Sequence, residues 1–420
     1  MRHLYSLLFY LLLPIILLRL WWRGIKSPGY RERIGERLGD VSRINDRPVI
    51  WLHAVSVGET MAAKPLIDAL LVRYPEYQIL VSNTTPTGSA QLKRLYPEGV
   101  QRCYFPYDLP HAIERFLDNI KPSILIVMET ELWPNLYNQC SEKNIPILLA
   151  NARLSARSLD GYQKVTALVK PLLQKIAYLG AQSEQDLKRF QQLGALKDKS
   201  GVAGNLKYQM TVPDEALKRA AEIKSEIGQR PIWIAASTHQ GEDEQLLSVH
   251  RQLLASFPNL LVLLVPRHPE RFEEVAKLCH ETGAGVAQRS LHQLPIVTDS
   301  IWLIDSMGEL LTFYALAEFA FIGGSLVKTG GHNPLEPAAL QLACATGPHT
   351  FNFSDIMETL LAANAIEQVE HEAELVSLFL AWLEQPDQAR KTGQAAHQVI
   401  QKNQGAVEHL MQHLEGMLKT

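Results

Sequence analysis

Cysteine is scarce in this chain of 420 residues, and Cys103, Cys140, Cys279 and Cys344 stand far apart. No C-x-x-C and no Cys/His group with zinc spacing occurs, which argues against a disulfide framework or a structural metal and fits a reducing compartment. A basic excess is missing too. With 41 Lys and Arg against 44 Asp and Glu the net charge is −3, so the electrostatic footprint of a nucleic-acid binder is absent. No glycine turn reads G-x-G-x-x-G or G-x-x-x-x-G-K-[ST], which counts against a dinucleotide oxidoreductase and a P-loop NTPase. H-E-x-x-H and G-x-S-x-G are lacking as well. There are no tandem repeats and no low-complexity tract. Apolar content of 46% is ordinary for a globular protein, and the length predicts two domains.

One long apolar run is present. LYSLLFYLLLPIILL (Leu4–Leu18) carries no charge and is followed by Arg19, Trp21, Trp22, Arg23 and Lys26. A bilayer span needs about 20 apolar residues. Leu20–Trp22 extend the run past Arg19, which can snorkel, and the tryptophans suit a headgroup belt. No small-x-small cleavage site follows, so residues 1–26 read as a retained anchor, whether crossing the bilayer or lying in its interface. The positive charges place the body of the protein on the cytoplasmic side. Arg31, Arg33 and Arg37 read as a basic amphipathic helix facing anionic headgroups.

Beyond residue 45 short apolar runs alternate with helical patterns such as Ser89–Tyr96 and Glu184–Leu193. Predicted strands are Val49–His53, Gln78–Ser82, Ser123–Met128, Ile145–Ala150 and Ala177–Ala181. After a pause at Gly201–Ala216 come Ile232–Ala236, Leu260–Val265, Ile301–Ile304, Phe319–Gly323 and Ala343–Thr346. Alternation with helices predicts two α/β domains with parallel sheets, divided as 27–210 and 211–420. Ligands bind at the carboxyl ends of such strands. Two domains facing one another would line a cleft with those ends.

The strand ends carry the chemistry. In WLHAVSVGETMAAKPL, Glu59 opens a helix, where a carboxylate is either a cap on the helix dipole or a base. METELWPN sets Glu129 and Glu131 directly after a strongly apolar strand, and two such carboxylates are not both expected to be caps. NTTPTG (Asn83–Gly88) and NAR (Asn151–Arg153) end two further strands. Lys207, in GNLKY, reads either as a surface lysine or as a cation reaching the cleft. In the second half ASTHQGEDEQ carries Ser237, Thr238 and His239, PRHPER carries Arg267 and His268, and DSMGELLTFY carries Gly308, where backbone can approach a ligand. FIGGSLVKTGGHNPLEPAAL combines two glycine pairs with His332, Asn333 and Glu336. Its backbone N–H groups at a helix start form an anion site, and Glu336 can meet ribose hydroxyls. No D-x-D-like carboxylate pair stands in this half to carry a metal.

HAVSVGE, ETELWPN, GNLKY, PRHPER and GGSLVKTGGHNPLEPA resemble the signatures of the 3-deoxy-D-manno-octulosonic acid (Kdo) transferases of lipopolysaccharide biosynthesis, over nearly the whole chain. The resemblance implies a GT-B fold, two Rossmann-like domains about a central cleft with the acceptor on the amino-terminal side. It implies CMP-Kdo as donor substrate, lipid IVA as acceptor, no cofactor, and attachment to a bacterial inner membrane. It carries the general base onto Glu59 and transition-state stabilisers onto Glu129 and Lys207. Contacts to CMP fall on Arg267, His268, Gly308, Glu309, Leu310, Asn333, Pro334, Leu335 and Glu336. Metal-independent transfer with inversion is expected, and a last helix within Asp387–Leu418 crossing back onto the first domain. A GT-B transferase using a UDP-sugar, or a nucleotide-sugar binder without catalysis, are the other readings.

Overall fold

The computed structural model describes residues 1–44 and 47–418. Every strand is parallel to its sheet neighbours. The first unit comprises Met1–Gln209 and Asn403–Thr420. Its strands are β1 (Val49–His53), β2 (Gln78–Asn83), β3 (Val100–Tyr104), β4 (Pro122–Met128), β5 (Ile147–Ala152), β6 (Tyr178–Ala181) and β7 (Ser200–Val202). They pair in the order β3-β2-β1-β4-β5-β6-β7. The order reverses between β1 and β4, so that sheet has its ligand-binding crevice where those two strands end.

Successive side chains of a strand point to opposite faces, and both faces here are covered. Val49 and Trp51 of β1 join Phe116, Leu125 and Val127 in one core. Ile50 and Leu52 join Leu66, Ile126 and Leu148 in the other. That second core also takes Leu410, Met411 and Leu414 from the helix Ala406–Leu418. Gly180 on β6 gives Leu410 its room, because an added Cβ would lie 2.7 Å from the leucine Cδ2.

The second unit, Met210–Lys402, holds β8 (Ile232–Thr238), β9 (Leu261–Pro266), β10 (Gly285–Gln288), β11 (Asp299–Leu303), β12 (Phe319–Ile322), β13 (Ala343–Thr346) and β14 (Glu367–Gln368). Their order is β10-β11-β9-β8-β12-β13-β14, with the reversal between β8 and β12. Trp233, Leu264, Leu303 and Phe321 centre one core of this unit.

The helix Arg2–Lys26 is long and apolar enough to cross a membrane, yet one face of it is docked on the first unit. Ser6 donates to Asn135 Oδ1 at 3.0 Å, the Tyr10 hydroxyl meets His111 Nδ1 at 2.6 Å, and Arg2 pairs with Glu142 at 3.3 Å. Leu4, Leu8, Leu11, Ile15, Leu18 and Trp22, spaced alternately by four and three, form an exposed stripe on the helix. The basic amphipathic helix expected next does not form. A 3₁₀ turn, Pro28–Tyr30, and a single turn of helix, Ile34–Arg37, take its place. Arg31 lies over Trp21, and Arg33 and Arg37 lie over Tyr104. Arg37 is 1% exposed. Cation–π contacts and the Thr84 carbonyl, 3.0 Å from Arg37 Nη1, draw Arg33 and Arg37 inward, while Arg31 stays exposed.

Candidate active site

Ser56 is the N-cap of the helix Val57–Arg73, and its Oγ accepts from the Glu59 amide. The Glu59 carboxylate in turn accepts from Val55 N at 2.8 Å and from Ser56 Oγ at 3.2 Å. This reciprocal arrangement is a capping box shifted by one residue, so Glu59 is a cap. It is also more than a cap. Burial, then the charges of Glu129 and Glu131, push its carboxyl up to about 7 against hydrogen bonds from Val55 and Ser56. A group that titrates near neutrality suits proton transfer. Two hydrogen bonds fix the carboxylate and leave lone pairs unused.

Glu129 and Glu131 follow β4, the other strand of the crevice. Neither caps the helix Pro134–Glu142, because buried Asp108 does so, accepting from Asn135 N at 2.9 Å and Leu136 N at 2.8 Å. Glu129 has φ +55°, a left-handed conformation that few side chains other than Asn and Asp adopt cheaply. Its amide is anchored on the Ala150 carbonyl at 2.9 Å. Burial raises Glu131 to about 7, helped by Glu129.

Lys207 lies in the short 3₁₀ turn Leu206–Tyr208. A polar chain fixes that turn against the end of β5. Asn151 Oδ1 accepts from Leu206 N at 3.0 Å, and Gln182 Nε2 donates to the Asn151 carbonyl at 3.0 Å. Asn205 Nδ2 donates to Gln182, while Asn205 Oδ1 accepts from Lys207 N at 3.0 Å. Asn151 is fully buried and left-handed, φ +55°. Glu59, Glu129 and the Lys207 turn thus sit at the ends of the adjacent strands β1, β4 and β5–β6.

In the second unit the β8 and β9 turns are stapled together. Arg271 donates to Asp243 at 2.5 Å, and Asp243 accepts from Thr238 at 2.5 Å. Arg267 N donates to the Thr238 carbonyl at 3.0 Å. This brings His239 beside His268, with ring centroids 5.1 Å apart. His239 Nε2 lies 2.8 Å from His332 Nε2. Ser237, φ +58°, re-aims the strand end at a register shift. Arg267 and His268 are exposed.

The first glycine pair is pinned to the turn after β8. The amides of Gly324, Ser325 and Leu326 are not free for a ligand anion, since all three donate to buried Glu242, at 2.6, 2.9 and 2.9 Å. Leu335 N, at the start of the short helix Leu335–Ala339, is taken by Asn333 Oδ1 at 3.1 Å. Burial raises the Glu336 carboxyl, opposed by Asn333 and by the charge of Arg267, so Glu336 and Arg267 share one neighbourhood. After β11, Gly308 has φ +90° with open space where a Cβ would stand. Glu309 is bound by Arg289 at 2.6 Å and Ser306 at 2.5 Å, and this pairing holds its carboxyl below the ordinary range. Its side chain thus has a structural partner, while Gly308 and Leu310 offer backbone at the end of the strand beside β9.

Sequence reasoning missed Asp108, Glu242 and Asp243 as positioning groups. The acidic run GEDEQ singles out none of its members, and nothing local marks Asp108.

A family model described as 3-deoxy-D-manno-octulosonic-acid transferase (kdotransferase) matches residues 32–210. The chain is 42% identical over 422 residues to the 3-deoxy-D-manno-octulosonic acid transferase of Haemophilus influenzae, covering all of this chain and 99% of that one. The Bordetella pertussis enzyme of the same description is 33% identical, over 99% of both chains. Among solved structures, UDP-GlcNAc 2-epimerase from Neisseria meningitidis, 14% identical, aligns with a TM-score of 0.58 over 88% of this chain and all of that one, which shows a shared GT-B-type α/β fold. The identity along the full length is decisive: the chain belongs to the Kdo transferase family of glycosyltransferases.

Proposed function

We propose that the chain transfers Kdo from CMP-Kdo to the primary hydroxyl of the lipid A precursor lipid IVA, with inversion and without a metal, at the cytoplasmic face of a bacterial inner membrane. The observation that carries this reading is the Glu59 carboxylate, at the crevice of the first sheet, fixed by two hydrogen bonds and titrating near neutrality. Glu59 takes the acceptor's proton as its oxygen bonds to the anomeric carbon. The bond from that carbon to the phosphate oxygen breaks, and CMP departs with the electron pair. The transition state is oxocarbenium-like, and base assistance of this kind is worth roughly 10²–10⁴-fold.

A phosphate leaving group departs as an anion and needs no general acid. Arg267 and His268 supply the compensating charge, and Gly308 to Leu310 with Asn333–Glu336 hold the nucleotide. Glu129 and Lys207 stabilise the charge that develops on the sugar. The stripe from Leu4 to Trp22 supports attachment to lipid, with Arg23 and Lys26 at its end.

The test is Glu59→Gln, which keeps the helix cap and removes the base. Transfer of Kdo to lipid IVA, followed by mass spectrometry of the lipid, is expected to fall at least 10²-fold while CMP still binds. In the unsubstituted enzyme the rate should decline as pH drops below about 7, where Glu59 takes up its proton. Retained turnover in the variant removes Glu59 from the mechanism. Turnover with a UDP-sugar in place of CMP-Kdo replaces the donor.

A further inference from the structure

The second unit gathers cationic and titratable side chains at the carboxyl ends of β8, β9 and β12 and gives them little negative charge in return. His239 comes from the turn after β8, Arg267 and His268 from the turn after β9, and His332 from the loop after β12. The carboxylate of Glu242, beside His239, is used by four backbone amides, those of His239, Gly324, Ser325 and Leu326. Asp243 is held by Arg271 and Thr238. Glu270 stands 3.8 Å from His268, and Glu336 is the remaining carboxyl, bonded by Asn333.

Within this cluster the Nε2 atoms of His239 and His332 are 2.8 Å apart. That distance fixes the proton inventory. One ring must donate from Nε2 and the other must accept there, so the contact survives with no added proton or with one, which enters at the Nδ1 of the donating ring. A second would set two N–H groups against each other. Burial, then the surrounding cations, push both imidazoles toward the neutral form, His332 down to about 3. A phosphoryl group arriving at Arg267 offsets the repulsion from those cations, because it adds the negative charge the cluster lacks.

We propose that His239 and His332 act as one proton-binding pair that takes up a single proton with the nucleotide's phosphoryl group, giving an imidazolium–imidazole bridge facing the leaving group. The inference rests on the donor reading above. It makes the pair a positioning and charge-compensating device for the phosphate, with the proton drawn from solvent.

The experiment measures CMP binding to the full-length protein by titration calorimetry from pH 6 to 9, in buffers of differing ionisation enthalpy, with cytidine as a probe lacking phosphate. Proton uptake of up to one per CMP is expected, with Kd rising up to tenfold per pH unit where uptake is complete. Cytidine should bind with no uptake. His332→Gln and His239→Gln should each lose the uptake, beyond what titration of CMP itself explains, while still binding cytidine as the unsubstituted protein does. Equal uptake in either variant and the parent, or none in the parent despite tight CMP binding, overturns the pair and leaves the donor reading intact. Failure of CMP to bind the parent at any pH overturns the donor reading itself.

Discussion

At the scale of single residues, Glu129, Asn151 and Ser237 share a feature: each lies at the carboxyl end of a parallel strand with φ between +55° and +58°. Each pays a local conformational cost that only its surroundings justify, and such costs collect where side chains must be aimed. For Asn151 the consequence is measurable. Asn151→Ala removes the acceptor for Leu206 N and puts a Cβ-bearing residue without a compensating amide into the left-handed region. It should destabilise the first unit by about 1–3 kcal/mol. Asn151→Gly loses the same hydrogen bond without the strain and should recover about 1 kcal/mol of that, read as the order of denaturant midpoints. This strain is invisible in sequence, where NAR, METE and ASTH mark only polar residues after apolar runs. Glu59 was legible as an alternative between cap and base, and the geometry shows the cap directly. What sequence could not supply was Asp108, 20 or more residues from the carboxylates it frees from capping duty.

At the scale of elements, the interior strands were readable because they are buried on both faces and therefore continuously apolar. The edge strands were not. β3 exposes Gln101 and Arg102, and β7, β10 and β14 have four residues or fewer, too short and mixed to stand out. The predicted strand at 145–150 lies at Ile147–Ala152, because pairing with β6 resumes at Ala152 after a register shift that begins past Leu149. The arginine-rich segment misled for another reason. Helical spacing of charges says nothing of direction, and here the Tyr104 face and a carbonyl draw Arg33 and Arg37 inward while Arg31 stays exposed. The helix Ala406–Leu418 contributes Leu410, Met411 and Leu414 to the core under the first sheet. Leu410→Ala, beside Gly180, should cost about 2–5 kcal/mol, seen as a lower denaturation midpoint for that unit with the midpoint of the other unit unchanged.

At the scale of the whole molecule, the amino-terminal helix presents two unlike faces, a polar one bonded to the first unit and an apolar one exposed. Replacing Leu8, Leu11 and Ile15, all on the exposed stripe, by serine should shift the protein from the lipid fraction to the soluble fraction in vesicle flotation. The melting temperature should stay within a few degrees, because no core contact is lost. Molar salt should fail to release the unsubstituted protein: it screens the exposed Arg19, Arg23, Lys26 and Arg31 but leaves the burial of the apolar stripe intact. Release by salt alone would show that attraction to anionic lipid, not the apolar stripe, holds the protein.

The chain leaves its first unit after Gln209 and re-enters it at Asn403. During synthesis this imposes an order of events. Met210–Lys402 can complete its own sheet while the ribosome is still at work, but one apolar face of the earlier-made sheet stays only partly covered, by the helix Val57–Arg73, until Ala406–Leu418 has left the exit tunnel. The part of the polypeptide made first is thus the last to finish folding, and for that interval its bare surface is a natural target for chaperones.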